Sequence, residues 1–428
     1  MRKYLLALFC FLLLAKSEYA QPKILTASSP EAAGFSANRL SRLDTAMNEW
    51  VKKNWVNGSV ALIARKGKII FHKAYGYNDL NAKTPLDKNG IFRIASQTKA
   101  ITTVAALMLW EEGKFSLEDP VSKYIPSFAN QKVLSSFNAS DTSYSTIPAK
   151  RAITIRDLLT HTSGIGYPGI GTPEANAIYA KAGITGGVGV KAPLSLAETM
   201  NRLGNIPLLF QPGEKWMYGV NTDLLGYLIQ IWSGLTLEDF FTRRIFQPLH
   251  MNDTYFNLPT AKANRLVNFF QQDSTGLIKK QDKVFDGNLD LSYPIHHTDY
   301  FSGGGGLSST IYDYAVFLQM LLNGGEYNGY RLLSRNTVRM MTMNQIGDLF
   351  LTGTENKFGF GFSIVTENGS RLAPNQAGTY AWGGVFSTSY WVDPKENMIV
   401  ILYRQMWGPH ITDTDKAFKP LVYQAIND

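Results

Sequence analysis

Residues 91–99 read IFRIASQTK, and Ser96 and Lys99 are the two that carry the argument. A helical run continues from Ser96 to about Glu112, and Gly113 is a good helix stop. Residues three apart share a helix face, so this spacing predicts that Lys99 lies beside the Ser96 hydroxyl. A serine hydroxyl is a poor nucleophile until a base takes its proton, and a lysine amine can do so where burial disfavours its charge. The segment indicates a serine nucleophile; the ordinary alternative is a helix-starting serine with a solvent-facing lysine.

Two later segments fit the same chemistry. Tyr218 precedes a helical run, where its side chain can point into a cleft and relay a proton to or from Ser96. Residues 382–385 read WGGV within a strand pattern, and glycines there mark a bulge or a close approach to the backbone. The N–H of Val385 could join that of Ser96 in an oxyanion hole. Each segment alone is weak evidence, since the chain has 21 tyrosines, and only their combination indicates a site.

Taken together, the segments resemble the serine β-lactamase and penicillin-binding-protein superfamily, in the branch of class C β-lactamases and family VIII carboxylesterases. The resemblance runs from about Ala32 to the end of the chain. It also covers residues 155–164, which read IRDLLTHTSG, and residues 302–307, which read SGGGGL. The order of the three segments along the chain matches as well.

The resemblance implies a role for each matching residue. Ser96 is similar to the acylated nucleophile, Lys99 to its partner, and Tyr218 to the tyrosine that serves as or shares the general base. Val385 matches the position whose N–H completes the oxyanion hole with Ser96. Substrate is expected to bind along Trp382, Gly383 and Gly384.

Two departures from the lactamase pattern bear on the substrate. The lactamases have Asn two residues after the tyrosine, whereas this chain has Val220 there and Asn221 one place further on. They also carry Lys-Thr-Gly where this chain has Trp382-Gly383-Gly384, and an indole offers only a neutral donor. A carboxylesterase acting on small acyl esters is therefore favoured. A class C-like β-lactamase or D-amino-acid peptidase stays open, as does a non-catalytic binder of cell-wall fragments.

The pattern of apolar residues predicts an α+β fold, and the resemblance implies that this fold is β-lactamase-like. The chain has 428 residues, 45% hydrophobic and 18% charged, which is a globular composition long enough for two lobes. An antiparallel sheet from both chain ends, flanked by helices, is expected at about 30–90 and 325–428, and a mainly helical lobe at about 91–324. The elements expected are helices at 36–54, 96–112, 153–160, 195–203, 221–233, 237–245, 311–323 and 413–426, strands at 59–64, 69–75, 358–365, 379–392 and 398–405, and irregular segments at 128–150 and 165–192, the second a rim or lid.

The N-terminus reads as a secretory signal peptide, residues 1–20, followed by the hydrolase domain, 21–428. A basic start precedes an apolar run, residues 4–15, that is too short to span a bilayer comfortably. Cleavage after Ser17 or after Ala20 fits. Cys10, the only cysteine, lies inside that run, so the mature chain has no thiol and no disulfide. An exported protein, periplasmic or secreted, without a stable membrane anchor is expected.

Several other features were weighed against this interpretation. The net charge of +8 comes from scattered residues, which argues against nucleic acid. Residues 164–169 match GxGxxG but follow a helical run and include Pro168, which argues against a dinucleotide. His296 and His297 are adjacent and point to different sides, so no metal is expected, and His161 is predicted to be a buried hydrogen-bonding residue. No GxSxG elbow occurs. We expect no cofactor, and a small acyl ester or amide as the binding partner.

Overall fold

One large sheet, built from both ends of the chain, organises the protein. A computed structural model describes residues 24–188, 194–285 and 287–428, so the predicted signal peptide lies outside the described residues. Neighbouring strands are antiparallel, except that the first runs parallel to the second. In spatial order the strands are Thr26–Ala27, Lys68–Asp79, Gly58–Arg65, Met398–Tyr403, Thr388–Asp393, Tyr380–Gly384, Ser363–Ile364 and Lys357–Phe358, with Thr84–Pro85 paired to Lys68–Asp79.

The central strand Gly58–Arg65 is buried along its whole length because both faces of the sheet are covered. Val60 and Leu62 point to one side, into the core shared with the helices Thr98–Glu111 and Ile311–Leu322. Ala61 points to the other side, into the core shared with Ala37–Lys52 and Ile411–Tyr423. This alternation is the two-residue period of a strand. The predicted sheet with helices on its faces is therefore confirmed, together with the hairpin that joins its first two long strands.

The remaining elements fill the middle of the chain and its edges. The helices are Ala37–Lys52, Thr98–Glu111, Ile155–Thr160, Pro173–Lys181, Leu196–Leu203, Asn221–Ser233, Leu237–Phe241, Gln247–Leu249, Ile311–Leu322, Arg335–Met341, Glu367–Ser370 and Ile411–Tyr423. The smaller strand groups are Lys132–Phe137 with Tyr144–Pro148; Phe92–Arg93 with Ser308–Ser309; Phe269–Gln272 with Ile278–Gln281 and Met406–Trp407; Lys283–Val284 with Leu289–Asp290; and Glu326–Tyr327 with Tyr330–Arg331. Among the described residues, no helix is both long enough and apolar enough to cross a bilayer.

Two segments predicted to be irregular contain regular structure. Residues 128–150 include the hairpin formed by Lys132–Phe137 and Tyr144–Pro148. Residues 165–192 include the helix Pro173–Lys181, which starts at Thr172, whose hydroxyl accepts from the Ala175 N–H, and has proline in its first turn. The interpretation of that second segment as an irregular rim was wrong for the helix. Residues 189–193 lie outside the described residues.

The prediction of one continuous strand at 379–392 and another at 358–365 was also wrong. The first is a hairpin, Tyr380–Gly384 and Thr388–Asp393, so the WGGV segment ends a strand instead of lying inside one. Ser387, with φ of +66°, donates its N–H to the carbonyl of Gly384 and closes the turn. The second is a tight pair of short strands, Lys357–Phe358 and Ser363–Ile364. In both cases the apolar run continues through the turn because the turn itself is packed, as the buried Phe386 shows in the first and the buried Phe360 in the second.

Short pairings join the Ser96 segment to a glycine-rich segment far along the chain. Phe92–Arg93 pairs with Ser308–Ser309, and the Ile94 N–H donates to the Leu307 carbonyl at 3.1 Å. The Thr98 hydroxyl in turn accepts from the Leu307 N–H at 3.1 Å. Residues 302–307 are therefore held directly beside the start of the helix that follows Ser96.

Candidate active site

Ser96 lies at the mouth of a buried segment. It is in a short 3₁₀ turn, Ala95–Gln97, that leads into the helix Thr98–Glu111. All residues from Gly90 to Leu109 are buried except Ser96, which is partly exposed. Ala95 has φ of +43°, a strained conformation for a residue with a Cβ, and such strain is found where a side chain is held in a special direction. The hydroxyl that the sequence singled out is thus the one accessible to a ligand.

Lys99 is buried beside Ser96, as the three-residue spacing predicts. Lys99 is only 2% exposed. Its Nζ donates to Ser96 Oγ at 3.3 Å and to the Gly304 carbonyl at 2.5 Å. Nζ also lies 4.7 Å from the ring centroid of Tyr218 and 5.6 Å from that of Tyr167. A carbonyl and two ring faces therefore stabilise the ammonium in a site with little water.

Tyr218 completes the contact with Ser96 from another part of the chain. Its hydroxyl donates to Ser96 Oγ at 2.7 Å. Ser96 Oγ therefore has two proton-carrying partners within hydrogen-bond reach, Lys99 and Tyr218. This is the arrangement that general acid–base help to a serine nucleophile requires.

The ring of Tyr218 is fixed by its neighbours. Tyr167 stacks on it with centroids 5.4 Å apart and planes 8° from parallel, and the ring of His161 lies 5.2 Å away. His161 Nδ1 faces the Asn221 amide nitrogen at 2.9 Å and accepts from the Gly219 N–H at 3.4 Å. Burial, and to a smaller degree the charge of Lys99, lowers the pKa of His161 to about 3. His161 is thus a neutral, buried hydrogen-bonding residue, as predicted, and it holds the backbone next to Tyr218.

The end of the strand Tyr380–Gly384 approaches Ser96 from the sheet side. A Cβ on Gly384 would lie 2.4 Å from the Ile94 carbonyl oxygen, so only glycine permits this contact. Val385 follows directly, 43% exposed, and its carbonyl accepts from the Trp407 indole N–H at 2.6 Å. The turn at Val385 is therefore anchored from two sides next to the segment that carries Ser96.

Comparison with known proteins is consistent with this arrangement. A family model described as Beta-lactamase matches residues 43–419. The chain belongs to the Beta-lactamase family.

Relatives within the family include enzymes. The chain is 28% identical to "Esterase EstB" of Burkholderia gladioli over 413 residues, covering 90% of this chain and 97% of the relative. It is 29% identical to "Acyltransferase calJ" of Penicillium decumbens, covering 76% of this chain and 78% of the relative. Among solved structures it is similar to "EstCE1, a hydrolase with promiscuous acyltransferase activity", with a TM-score of 0.76, 25% identity and coverage of 90% and 99%. The protein is a serine hydrolase of the Beta-lactamase family.

The displaced asparagine does not take the place of the lactamase asparagine in this member of the family. Asn221 is fully buried, and its Oδ1 accepts from the Ser163 hydroxyl at 2.5 Å while its amide nitrogen faces His161. Val220 is 1% exposed. Asn221 therefore supports the backbone around Tyr218 from behind and offers no side-chain group to a substrate.

Aromatic residues lie beside Tyr218, among them Trp382, whose position holds a lysine in the lactamase pattern. The ring of Trp382 lies 5.6 Å from that of Tyr218 and 5.6 Å from that of Phe358. Trp216 packs 5.5 Å from Phe358. Trp216 and Trp382 are partly exposed next to Tyr218, and the buried Phe358 packs against both. These three residues are called the aromatic wall below.

Three further cations, Arg404, Lys215 and Lys181, have no described contact with Ser96. Arg404 is buried with its guanidinium 2.5 Å from Asp415 and 2.5 Å from the Thr414 hydroxyl, so its donors are already engaged. Lys215 is exposed and pairs weakly with Glu214 at 3.9 Å. Lys181 is exposed at the end of the helix Pro173–Lys181.

Sequence reasoning missed two features of the site. One is the carbonyl of Gly304, which accepts from Lys99; nothing in the sequence of residues 302–307 indicates this contact. The other is Asp223, a fully buried carboxylate on the helix Asn221–Ser233. A lone Asp directly before the apolar run LLGYLIQIW, residues 224–232, was the available signal, because an unpaired charge is rarely buried without a reason.

Proposed function

We propose that the protein is a carboxylesterase that cleaves small uncharged acyl esters through an acyl-enzyme on Ser96. The observation that carries the proposal is the aromatic wall beside Tyr218, where a lactamase would present a cation. A substrate carboxylate buried there would lack a paired charge, which costs several kcal/mol. An uncharged ester meets no such penalty. The esterase EstB, similar over 90% of this chain, supports the same direction.

The proposed reaction follows from the contacts of Ser96. In the form that reacts, the Lys99–Tyr218 pair holds one proton fewer than an ammonium and a phenol hold together. Oγ attacks the ester carbonyl carbon while its proton passes to that pair. The N–H groups of Ser96 and Val385 bind the oxyanion that forms. The C–O bond to the alcohol breaks as the Tyr218 hydroxyl, recharged from Lys99, returns a proton to the leaving alkoxide. Water then attacks the acyl-enzyme by the same steps in reverse and releases the acid.

Substrate preference tests this proposal. Catalytic efficiency is measured on p-nitrophenyl butyrate and on a chromogenic cephalosporin for the wild type, Trp382→Lys and Trp382→Phe. We expect the wild type and Trp382→Phe to prefer the ester. Trp382→Lys should shift preference toward the anionic cephalosporin even if total activity falls. Preference of the wild type for the cephalosporin by tenfold, about 1.4 kcal/mol in transition-state binding, would replace the esterase proposal by the lactamase one.

A non-catalytic binder of cell-wall fragments is disfavoured by the same geometry. Such a protein needs a cleft, but it has no use for a hydroxyl hydrogen-bonded to both a buried lysine and a tyrosine. Capture of a labelled penicillin without any turnover of esters or lactams is the outcome that would favour it.

We also propose that the chain is exported, to the periplasm or the medium, and that its signal peptide is removed by cleavage after Ser17 or after Ala20. The basic start and the apolar run of residues 4–15 support this. The test is N-terminal sequencing of the protein recovered from each cell fraction. A mature N-terminus at Glu18 or Gln21 outside the cytoplasm is expected, and an uncleaved cytoplasmic chain would overturn it.

A further inference from the structure

Asp223 is a buried carboxylate that none of the steps above uses. It is 1% exposed and lies on the helix Asn221–Ser233, five residues after Tyr218. Its Oδ1 accepts from the Ser302 hydroxyl at 2.5 Å and from the Gly304 N–H at 3.2 Å. Oδ2 has no hydrogen-bond partner among the described residues. A half-satisfied buried carboxylate is costly, so its retention calls for a reason.

Both donors to Asp223 belong to the segment whose carbonyl accepts from Lys99. The N–H of Gly304 points at Asp223, and the carbonyl of the same residue accepts from Lys99 Nζ at 2.5 Å. Asp223 thus holds Gly304 through its N–H, and Lys99 holds the same residue through its carbonyl. The residue must also be a glycine, because a Cβ there would lie 2.3 Å from Asp223 Oδ2.

Asp223 and Lys99 are two buried groups of opposite charge that contact the same residue, Gly304. Burial raises the pKa of Asp223, and the ammonium of Lys99 and the hydrogen bonds from Ser302 and Gly304 act against that rise. Lys99 has no carboxylate within ion-pair distance among the described residues, so its contacts there are Ser96, the Gly304 carbonyl and the tyrosine rings. Asp223 therefore acts on Lys99 indirectly, through the position of Gly304 and through its own buried charge.

We propose that Asp223 is a positioning residue that holds the Gly304 carbonyl against Lys99 and so keeps Nζ beside Ser96 Oγ. This rests on the role proposed above for Lys99. The carboxylate fixes residues 302–304, the carbonyl of Gly304 fixes one donor direction of the ammonium, and the remaining donors are directed at Ser96. Loss of Asp223 lets the glycine segment move and misplaces the proton carrier.

The test is a double-mutant cycle on the rate at which a fluorophosphonate labels Ser96 and on ester turnover. The variants are Asp223→Asn, Asp223→Ala, Lys99→Ala and the two Asp223/Lys99 doubles. Asn keeps an acceptor for Ser302 and Gly304 but loses the charge, and Ala loses both. We expect kcat to fall by up to about 10²-fold in Asp223→Ala, the usual cost of misplacing a reacting group by 1 Å, and by less in Asp223→Asn. KM should change little, since Asp223 is buried away from the substrate.

The decisive comparison uses the Lys99→Ala background. If Asp223 acts through Lys99, its replacement there has no further effect, whereas a general weakening of the fold adds its full cost again. Asp393→Asn is the matched control. Asp393 is a buried carboxylate at the end of the strand Thr388–Asp393, and it accepts from the Tyr423 hydroxyl at 2.8 Å. Its replacement should lower thermal stability without changing kcat.

The outcomes separate this inference from the function on which it rests. Additive effects in the doubles, or a wild-type kcat in Asp223→Ala, overturn the role of Asp223 alone. A Lys99→Ala variant with unchanged turnover overturns the proton relay itself. Circular dichroism of each variant shows whether a loss of activity accompanies a loss of fold.

Discussion

Tyr218 and Ser96 lie 122 residues apart in the chain, yet the tyrosine hydroxyl donates to Ser96 Oγ at 2.7 Å. Lys99 reaches the same oxygen from one turn along its own helix. A local contact and a long-range contact therefore converge on one atom.

Replacement of the nucleophile should abolish covalent chemistry while leaving the fold intact. Ser96→Ala is expected to lose labelling by a fluorophosphonate and to lose ester turnover, because no other oxygen occupies that position. The thermal midpoint should stay near that of the wild type, since Ser96 is partly exposed. Ser136→Ala, in an exposed hairpin strand, is the control and should label normally. Labelling that persists in Ser96→Ala would assign the nucleophile elsewhere.

Lys99 and Tyr218 should behave as one catalytic unit. Each of Lys99→Ala and Tyr218→Phe is expected to lower kcat by about 10²–10⁴, the usual worth of general acid–base help. The double variant should lose little more than the worse single one, because both side chains serve the same proton. Tyr327→Phe controls for the loss of a buried hydroxyl, because the Tyr327 hydroxyl accepts from the Leu25 N–H at 3.1 Å and has no described contact with Ser96. Fully additive losses would contradict a shared relay.

His161 should make the fold less stable in acid. Its pKa is about 3 in the folded protein against 6.5 for an unperturbed histidine, so between these values the unfolded chain binds a proton that the folded chain does not. Stability therefore falls as pH drops below about 6.5, by up to about 1.4 kcal/mol per pH unit from this one group. Urea unfolding at pH 4 to 7 measures the slope.

The variant His161→Asn separates this effect from that of the carboxylates. It should be less stable than the wild type at pH 7, since the acceptor for Gly219 and Asn221 is altered. Its stability should nevertheless fall less steeply between pH 6.5 and pH 4. Equal slopes for the two proteins would show that His161 titrates normally in the fold.

Ester turnover should survive prolonged treatment with EDTA, because every step of the proposed reaction uses side chains and backbone groups of this chain. The paired histidines considered earlier have separate partners: His296 faces the Ser292 hydroxyl at 2.6 Å, and His297 lies 3.3 Å from Asp299. The measurement is activity before and after dialysis against the chelator. Activity that disappears and returns only with zinc would refute the serine mechanism.

The predictable parts of the fold are those in which local spacing decides the structure. The helix expected at 36–54 is Ala37–Lys52, because its apolar residues recur at helical spacing and Ser36 caps it. The hairpin around Lys66 and Gly67 follows from alternating apolar runs and a turn glycine. In contrast, the run at 379–392 carried no visible break, because the residue inside its turn, Phe386, is itself part of a core.

The same distinction between local spacing and long-range packing applies to the active site. Helical spacing predicts that Lys99 lies beside Ser96, since three residues on a helix bring two side chains to one face. No spacing places Tyr218 against Ser96, because 122 residues separate them. Packing of distant segments turns Asn221 toward His161 and holds Gly304 between Asp223 and Lys99. Those contacts join segments up to 205 residues apart, and no local pattern encodes them because they exist only once the sheet and the central helices have packed.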